Sequence, residues 1–251
     1  MLKHILPCLL LLLPLPSWAA MERVVSLNLC TDQWLVLLAP EKVAALSPLA
    51  HDPALSFVAE QAAALPMVRA SAEAVMALRP DLVLGGKFGA RTTLALLERA
   101  GVPVARIDTP QDFPGIRAGL RATAALLGVP DRAEPLLAAM DAALPPPPGP
   151  PRAALVWEPR GWTSGPGGLM DAVLRAAGLT NMGSGGRIGL EALLRHPPAL
   201  LVLPQNTAGA SLATAVLAHP ALRDIPARLI PAPLRICPGP FTAEAVARLR
   251  D

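Results

Sequence analysis

The sequence contains no tyrosine, and its other aromatic residues stop at four Phe and four Trp among 251 residues. Without Tyr there is no phenolate to ligate iron, one of the axial groups that proteins use for heme. Any core must therefore be built mostly from Ala, Leu and Val. Charge is also scarce. Charged residues make up 16% of the chain, against about 25% in average globular proteins. The formal net charge is +3, but the basic residues are dispersed. No Lys/Arg cluster interleaved with aromatics occurs, so nucleic acid has no footprint here. Only His51, His196 and His219 lie outside the first twenty residues, far apart in the chain. A bare metal ion needs three or four N, O or S ligands that converge, and this pattern supplies no such set.

Enzyme signatures are missing too. There is no G-x-S-x-G, hence no nucleophile elbow. The run Gly165-Pro166-Gly167-Gly168 has Met170 where a dinucleotide fingerprint needs its third glycine, and Gly183-Ser184-Gly185-Gly186 has Ile188 there. Both runs read as mobile loop backbone.

What the chain does have is apolar residues, 53% of the total, together with 30 Pro and 19 Gly. Pro and Gly together reach roughly a fifth, below the ~25–30% that marks low complexity. A chain of this length buries roughly three quarters of its unfolded surface, enough for one large domain or two small ones.

Residues 1–19 read as a signal peptide. Lys3 and His4 precede a leucine-rich run from Ile5 to Leu15, and Ser17-Trp18-Ala19 is a small-x-small cleavage pattern. The run is shorter than the ~20 residues of a membrane span. Cleavage near Ala19 predicts a periplasmic protein. It would retain Cys30 and Cys237 in a compartment that permits disulfides, and the even count predicts that they are bridged.

The rest reads as two similar α/β halves, 20–111 and 152–251, around a helical middle at 112–151. In the first half, Val24 to Leu27, Leu82 to Leu84 and Val102 to Ile107 are strands. Thr31 or Asp32 is placed to cap the helix that carries Trp34 to Leu38. In the second half, Ala153 to Trp157, Leu200 to Leu203 and Leu229-Ile230 are strands. A helix from Leu169 to Ala177 closes at Gly178, and Thr242 caps a last helix over 243–250. Strands alternating with helices predict parallel sheets. One match links the halves. Glu73 precedes Pro80 by seven residues and the strand at Leu82 follows; Glu191 precedes Pro198 by seven and the strand at Leu200 follows. Between the halves, Asp112 caps a helix from about Phe113 to Leu127. Gly128-Val129-Pro130 interrupts it, a second stretch runs from Asp131 to Leu144, and Pro145 to Pro151 (PPPPGPP) is an extended, stiff spacer. The expected fold is thus two parallel-sheet lobes joined by a long interlobe helix, with a ligand cleft between them.

Ligands of open α/β sheets bind beyond the carboxyl ends of the strands. The loops expected there contain Asn28, Leu29, Cys30, Thr31, His51, Lys87, Phe88, Arg91, Arg160, Trp162, Gln205 and Arg235. Arginine beside aromatics suits an anionic or planar ligand. Trp162, set in a Gly-rich loop, either plugs a gap or stacks on ligand. Trp34 and Trp157 read as core.

Four segments carry a family resemblance: Arg23 to Asp32 (RVVSLNLCTD), Glu73 to Gly85, Leu190 to Pro198, and Cys237 to Val246 (CPGPFTAEAV). In order and spacing the chain resembles, over residues 22–251, the class III substrate-binding proteins of ABC importers, the iron-siderophore and cobalamin type. The resemblance implies two lobes joined by one long helix, and a monomer that delivers a small-molecule metal chelate to a permease dimer. It implies no catalytic residue, no resident metal and no cofactor. It also implies that Glu73 and Glu191, one per lobe, meet arginines on the paired permease subunits. The chelate expected is a ferric siderophore or a corrinoid. The alternatives are an extracytoplasmic enzyme of similar lobed shape, or a protein that binds heme or a bare metal ion.

Overall fold

The structure, a computed structural model, describes residues 21–144, 146, 149–205, 211 and 213–250. The expected signal peptide lies outside the described residues, as do Pro145, Pro147 and Pro148 of the expected spacer. The first lobe runs β1 (Val24–Ser26), α1 (Leu29–Leu38), β2 (Val43–Ala45), α2 (Ala59–Ala62), α3 (Ala72–Ala77), β3 (Leu82–Gly86), α4 (Arg91–Arg99) and β4 (Val104–Ile107). Two helices follow, α5 (Phe113–Leu126) and α6 (Ala133–Ala142). The second lobe runs β5 (Arg152–Val156), α7 (Leu169–Ala176), β6 (Leu179–Asn181), α8 (Leu190–Arg195), β7 (Leu200–Pro204), β8 (Ala227–Ile230) and α9 (Thr242–Arg250).

Each lobe holds a four-stranded sheet, ordered β2-β1-β3-β4 and β6-β5-β7-β8, with every pairing parallel. The two orders are the same when β5 is set against β1. The duplication suggested by the glutamate–proline spacing is therefore a duplication of topology.

Alternation along the strands assigns their two faces. Val24, Leu82 and Leu84 join one large buried cluster, whereas Val25 and Val83 face a smaller one with Leu94 and Leu97 of α4. In the second lobe Ala154, Val156, Leu200 and Val202 join the same large cluster, and Leu155, Leu201 and Trp157 face a third. Strands buried on both faces read as continuous apolar runs, which is why these were recognisable. The shared cluster also contains Ile116, Leu120, Leu137 and Met140 from α5 and α6. One apolar layer thus runs through both lobes and the helices between them.

Asp112 caps α5 as expected, its Oδ1 accepting the Gly115 N–H at 2.7 Å. Ile116, Leu120, Thr123 and Leu127 are all buried along one face. Gly119 lies inside α5 because a Cβ there would come within 2.7 Å of the Trp34 ring. The middle is not one continuous helix. Gly128, at φ +73°, ends α5, and α6 turns back beside it. Ion pairs Arg121–Glu134, at 2.7 Å, and Arg117–Asp141 fix the antiparallel arrangement. Among the described residues no helix is long and apolar enough to cross a membrane.

Candidate ligand cleft

The β1–α1 turn opens the site. Asn28 is the N-cap of α1, its Oδ1 accepting the Cys30 N–H at 3.0 Å. The expected caps have other tasks. Thr31 Oγ1 lies 2.8 Å from Ser26 Oγ. Asp32 is fully buried, and its carboxylate accepts the Ser47 N–H at 3.2 Å and the Ser47 hydroxyl at 2.5 Å, tying α1 to the loop after β2. Burial pushes the Asp32 carboxyl from 3.8 up to about 7, against hydrogen bonds from Ser26 and Ser47 and the nearby His51, which all pull it down. Between about pH 4 and pH 7 the folded protein therefore keeps a proton that the unfolded chain has lost, so stability falls as pH rises through that window. Asp32→Asn is expected to raise the melting temperature at about pH 8, by at most about 4 kcal/mol of stability, and to leave it unchanged near pH 4. Calorimetry of both proteins across this range checks the sign.

Three segments close the cleft from the two lobes. The β4–α5 turn supplies Thr109, Pro110 and Gln111. The loop after β5 supplies Ser164 and Gly165, and the segment after β8 supplies Arg235, Ile236 and Pro238. Together with Gly168, Leu169 and Met170 they bound a cavity of about 290 Å³. A smaller recess next to it is lined by Asn28, Cys30, Thr31, Trp34 and Asp108. Asp171 and Asn181 hold the Ser164–Gly168 loop: Asn181 Nδ2 donates to Ser164 O at 3.1 Å and to Asp171 Oδ1 at 3.2 Å, and Gly167 N–H donates to Asp171 Oδ2 at 3.0 Å. The two Gly runs read as mobile are instead packed on each other. A Cβ on Gly183 would lie 2.2 Å from Ser164 O.

The lobes are joined beside the cleft. Cys30 and Cys237 form a disulfide, with Cα atoms 5.1 Å apart. Trp34 Nε1 donates to Pro238 O at 2.8 Å, and the rings of Phe57 and Phe241 stack at 4.4 Å.

The expected site residues divide. Asn28, Cys30, Thr31 and Arg235 line the cleft. Arg235 also pairs with Glu158, Nη1 to Oε1 at 2.6 Å, while its buried Nε has no hydrogen-bond partner among the described residues. Leu29 is buried in α1. His51 lies away from the cavity and donates from Nε2 to Leu65 O at 3.1 Å. Lys87, Phe88 and Arg91 gather in a groove formed by the β3–α4 turn and α4. Gln205 is exposed at the end of β7. Arg160 sits exposed at φ +60°, its carbonyl accepting from Arg187 Nε at 3.0 Å. Trp162 is 50% exposed, so it does not plug the core, whereas Trp34 and Trp157 do. The reading missed Thr109–Gln111. Their position directly after β4 was the signal available.

Two parallel-sheet lobes with strand ends turned toward a common cleft define a two-lobed binding protein. The chain belongs to the periplasmic binding protein family, which matches residues 24–228. No curated protein matches it. Among solved structures it is similar to a periplasmic heme-binding protein from Pseudomonas aeruginosa, at 26% identity over 91% of each chain and a TM-score of 0.70. It is similar to the apo form of the periplasmic heme-binding protein RhuT from Roseiflexus sp. RS-1, at 24% identity over 91% of this chain and 96% of that one, TM-score 0.70. It also resembles an ABC-type Fe3+-hydroxamate transport system protein from Saccharomonospora viridis DSM 43017, at 22% identity over 91% of each chain, TM-score 0.65.

Proposed function

We propose that this is the extracytoplasmic binding protein of an ABC importer and that it carries a metal chelate whose metal brings its own ligands, a ferric siderophore or a corrinoid. The observation that carries this reading is the make-up of the cleft. Its walls offer amide, hydroxyl and guanidinium groups and backbone, suited to the periphery of a polar chelate. Cys30, which borders its recess, is consumed in the disulfide with Cys237, and among the described residues no three His, Cys, Asp or Glu side chains are grouped to hold a metal ion. Arg235 lines the cavity, and the part of its guanidinium that Glu158 does not engage offers N–H donors to an acidic group on the ligand.

A second reading, heme, is supported by the likeness to the heme-binding protein of Pseudomonas aeruginosa. Heme would enter this cleft without a Tyr, Cys or cleft-facing His ligand, held by apolar contact and Arg235. Titration of tryptophan fluorescence with ferric hydroxamate, cobalamin and hemin separates the readings. Trp34 borders the cleft recess and reports occupancy. Tight quenching by one of the first two and weak quenching by hemin is the expected result. Arg235→Ala is expected to weaken an anionic chelate about tenfold or more. Tight response to simple Zn or Mn salts, with none to any chelate, overturns both readings.

A further inference from the structure

Specificity is a difference of affinities, and a repulsive group contributes to it as much as an attractive one. Among the described residues that line the cavity, Arg235 carries the only charge, and in the recess Asp108 does. Both already have counter-ions. Asp108 pairs with Lys87 at 2.8 Å, and Arg235 Nη1 donates to Glu158 Oε1 at 2.6 Å. The Lys87 and Asp108 side chains are well exposed, so water and salt screen them. The Arg235 and Glu158 side chains are only 20% and 21% exposed, so their charges act on each other, and on a ligand, through less water. An anion that reaches Arg235 therefore meets the Glu158 carboxylate beside it.

Glu158 stands just after β5, and Arg235 follows the turn at Ala232–Leu234 beyond β8. Neither segment needs the ion pair to hold its shape. Glu158 N–H donates to Trp162 O at 2.7 Å, and Gly161 N–H donates to Glu158 O at 3.0 Å, so that loop closes through its own backbone. The Arg235 and Ile236 N–H groups both donate to Ala232 O at 3.0 Å. Cys237 and Pro238 are tied to the first lobe by the disulfide and by Trp34. A carboxylate drawn partly out of water costs free energy, and backbone bonds already do the structural task. What Glu158 adds is charge. It engages the guanidinium at Nη1, and the buried Nε has no partner among the described residues. The donors left over suit one carbonyl or one acidic group at the edge of a chelate.

We infer that Glu158 is a specificity-determining residue: it cancels the charge of Arg235 and sets the cleft against polyanionic chelates, so the cargo is a chelate of little net charge. Ferric iron held by three hydroxamates is neutral, whereas three catecholates leave it trianionic. A corrinoid with amide side chains is close to neutral, and its carboxylate counterpart is strongly anionic. This inference rests on the chelate reading above and narrows it.

Two matched pairs of ligands test it by fluorescence titration. One is a ferric trihydroxamate against a ferric tris-catecholate. The other is dicyanocobinamide against dicyanocobyrinic acid, whose side chains are carboxylates. The native protein is expected to bind the neutral member of one pair at least about tenfold more tightly than its anionic partner. Glu158→Gln is expected to narrow that gap about tenfold by tightening the anionic member, and added salt to erode the gain. Glu158→Asp, which retains the charge, keeps the native preference. A purely structural Glu158 would instead shift both members alike and lower the melting temperature, which circular dichroism measures, and that result overturns the inference. So does an unmoved ratio in Glu158→Gln, or a native protein that prefers the anionic member; in each case the chelate reading stands. A native protein that binds neither pair defeats that reading and this inference with it.

Discussion

Reversing Glu73 and Glu191 together to arginine is expected to stop delivery of ligand to the permease while ligand affinity changes by less than about twofold, as for charges remote from the cleft. Both side chains are exposed and neither is paired among the described residues. Each occupies the first turn of a six-residue helix, α3 and α8. Each helix precedes the strand, β3 or β7, that pairs with the first strand of its lobe. A carboxylate in a first turn complements the helix dipole by about 0.3–1 kcal/mol, and that accounts for either one singly. It does not account for the same charge at the same topological place in both lobes of a chain with so few charges. Two exposed carboxylates, one per lobe, form a pair that a two-subunit partner can read through complementary cations. Rim charges of this kind act on encounter rate and register. Each single reversal is expected to slow uptake, and the double reversal to abolish it, in cells with normal protein levels and in binding to permease in nanodiscs. Normal transport by the double variant would leave both residues as helix-end electrostatics only.

The same pair illustrates what was legible beforehand. The acid–proline spacing marked equivalent helices because proline beyond the first turn breaks a helix through its missing N–H and its ring, largely independent of tertiary context. Strands β1, β3, β5 and β7 were legible as apolar runs because both faces are buried. Strands β2 and β6 were missed. Each is three residues long and only partly buried, and a short strand beside a parallel neighbour is defined by its partner rather than by its own pattern. Asp32 was read as a cap because acidic residues favour helix starts. Its burial against Ser47 is a tertiary fact, and Asn28, three and four residues before the expected caps Thr31 and Asp32, does the capping. The rule that ligands lie past strand ends pointed to Asn28, Cys30, Thr31 and Arg235, which line the cavity between the lobes and its recess. The same rule pointed to Lys87, Phe88 and Arg91, which line a groove formed by the β3–α4 turn and α4. Which loop faces inward depends on how the lobes meet, and no local pattern encodes that.

Cutting the Cys30–Cys237 bridge is expected to lower the melting temperature by about 10 °C, using ~2–4 °C per kcal/mol for a chain of this size. The bridge spans 207 residues. In the chain-entropy account, closing so long a loop restricts the unfolded chain by about 5 kcal/mol, and measured losses run about 2–5 kcal/mol. The Trp34–Pro238 hydrogen bond, the Phe57–Phe241 stack and the apolar layer shared with α5 and α6 remain in the variant. The lobes should therefore stay folded and attached, and the loss should appear in stability and in opening. Cys30 lines the recess next to the cleft, so the bridge pins the lobes at the edge of the ligand space itself. A cavity of about 290 Å³ lies at the small end of ligand sites, and a bulky chelate needs the lobes to part or must leave some of its surface outside. With Cys30→Ser/Cys237→Ser, the ligand-free protein is expected to gain radius of gyration in small-angle scattering, and the gain should vanish once the chelate binds. Calorimetry of the variant, and of the native protein with and without reductant, measures the stability change. Equal melting temperatures with and without reductant, or two thiols that label before reduction, would show that the lobes are held without the bridge.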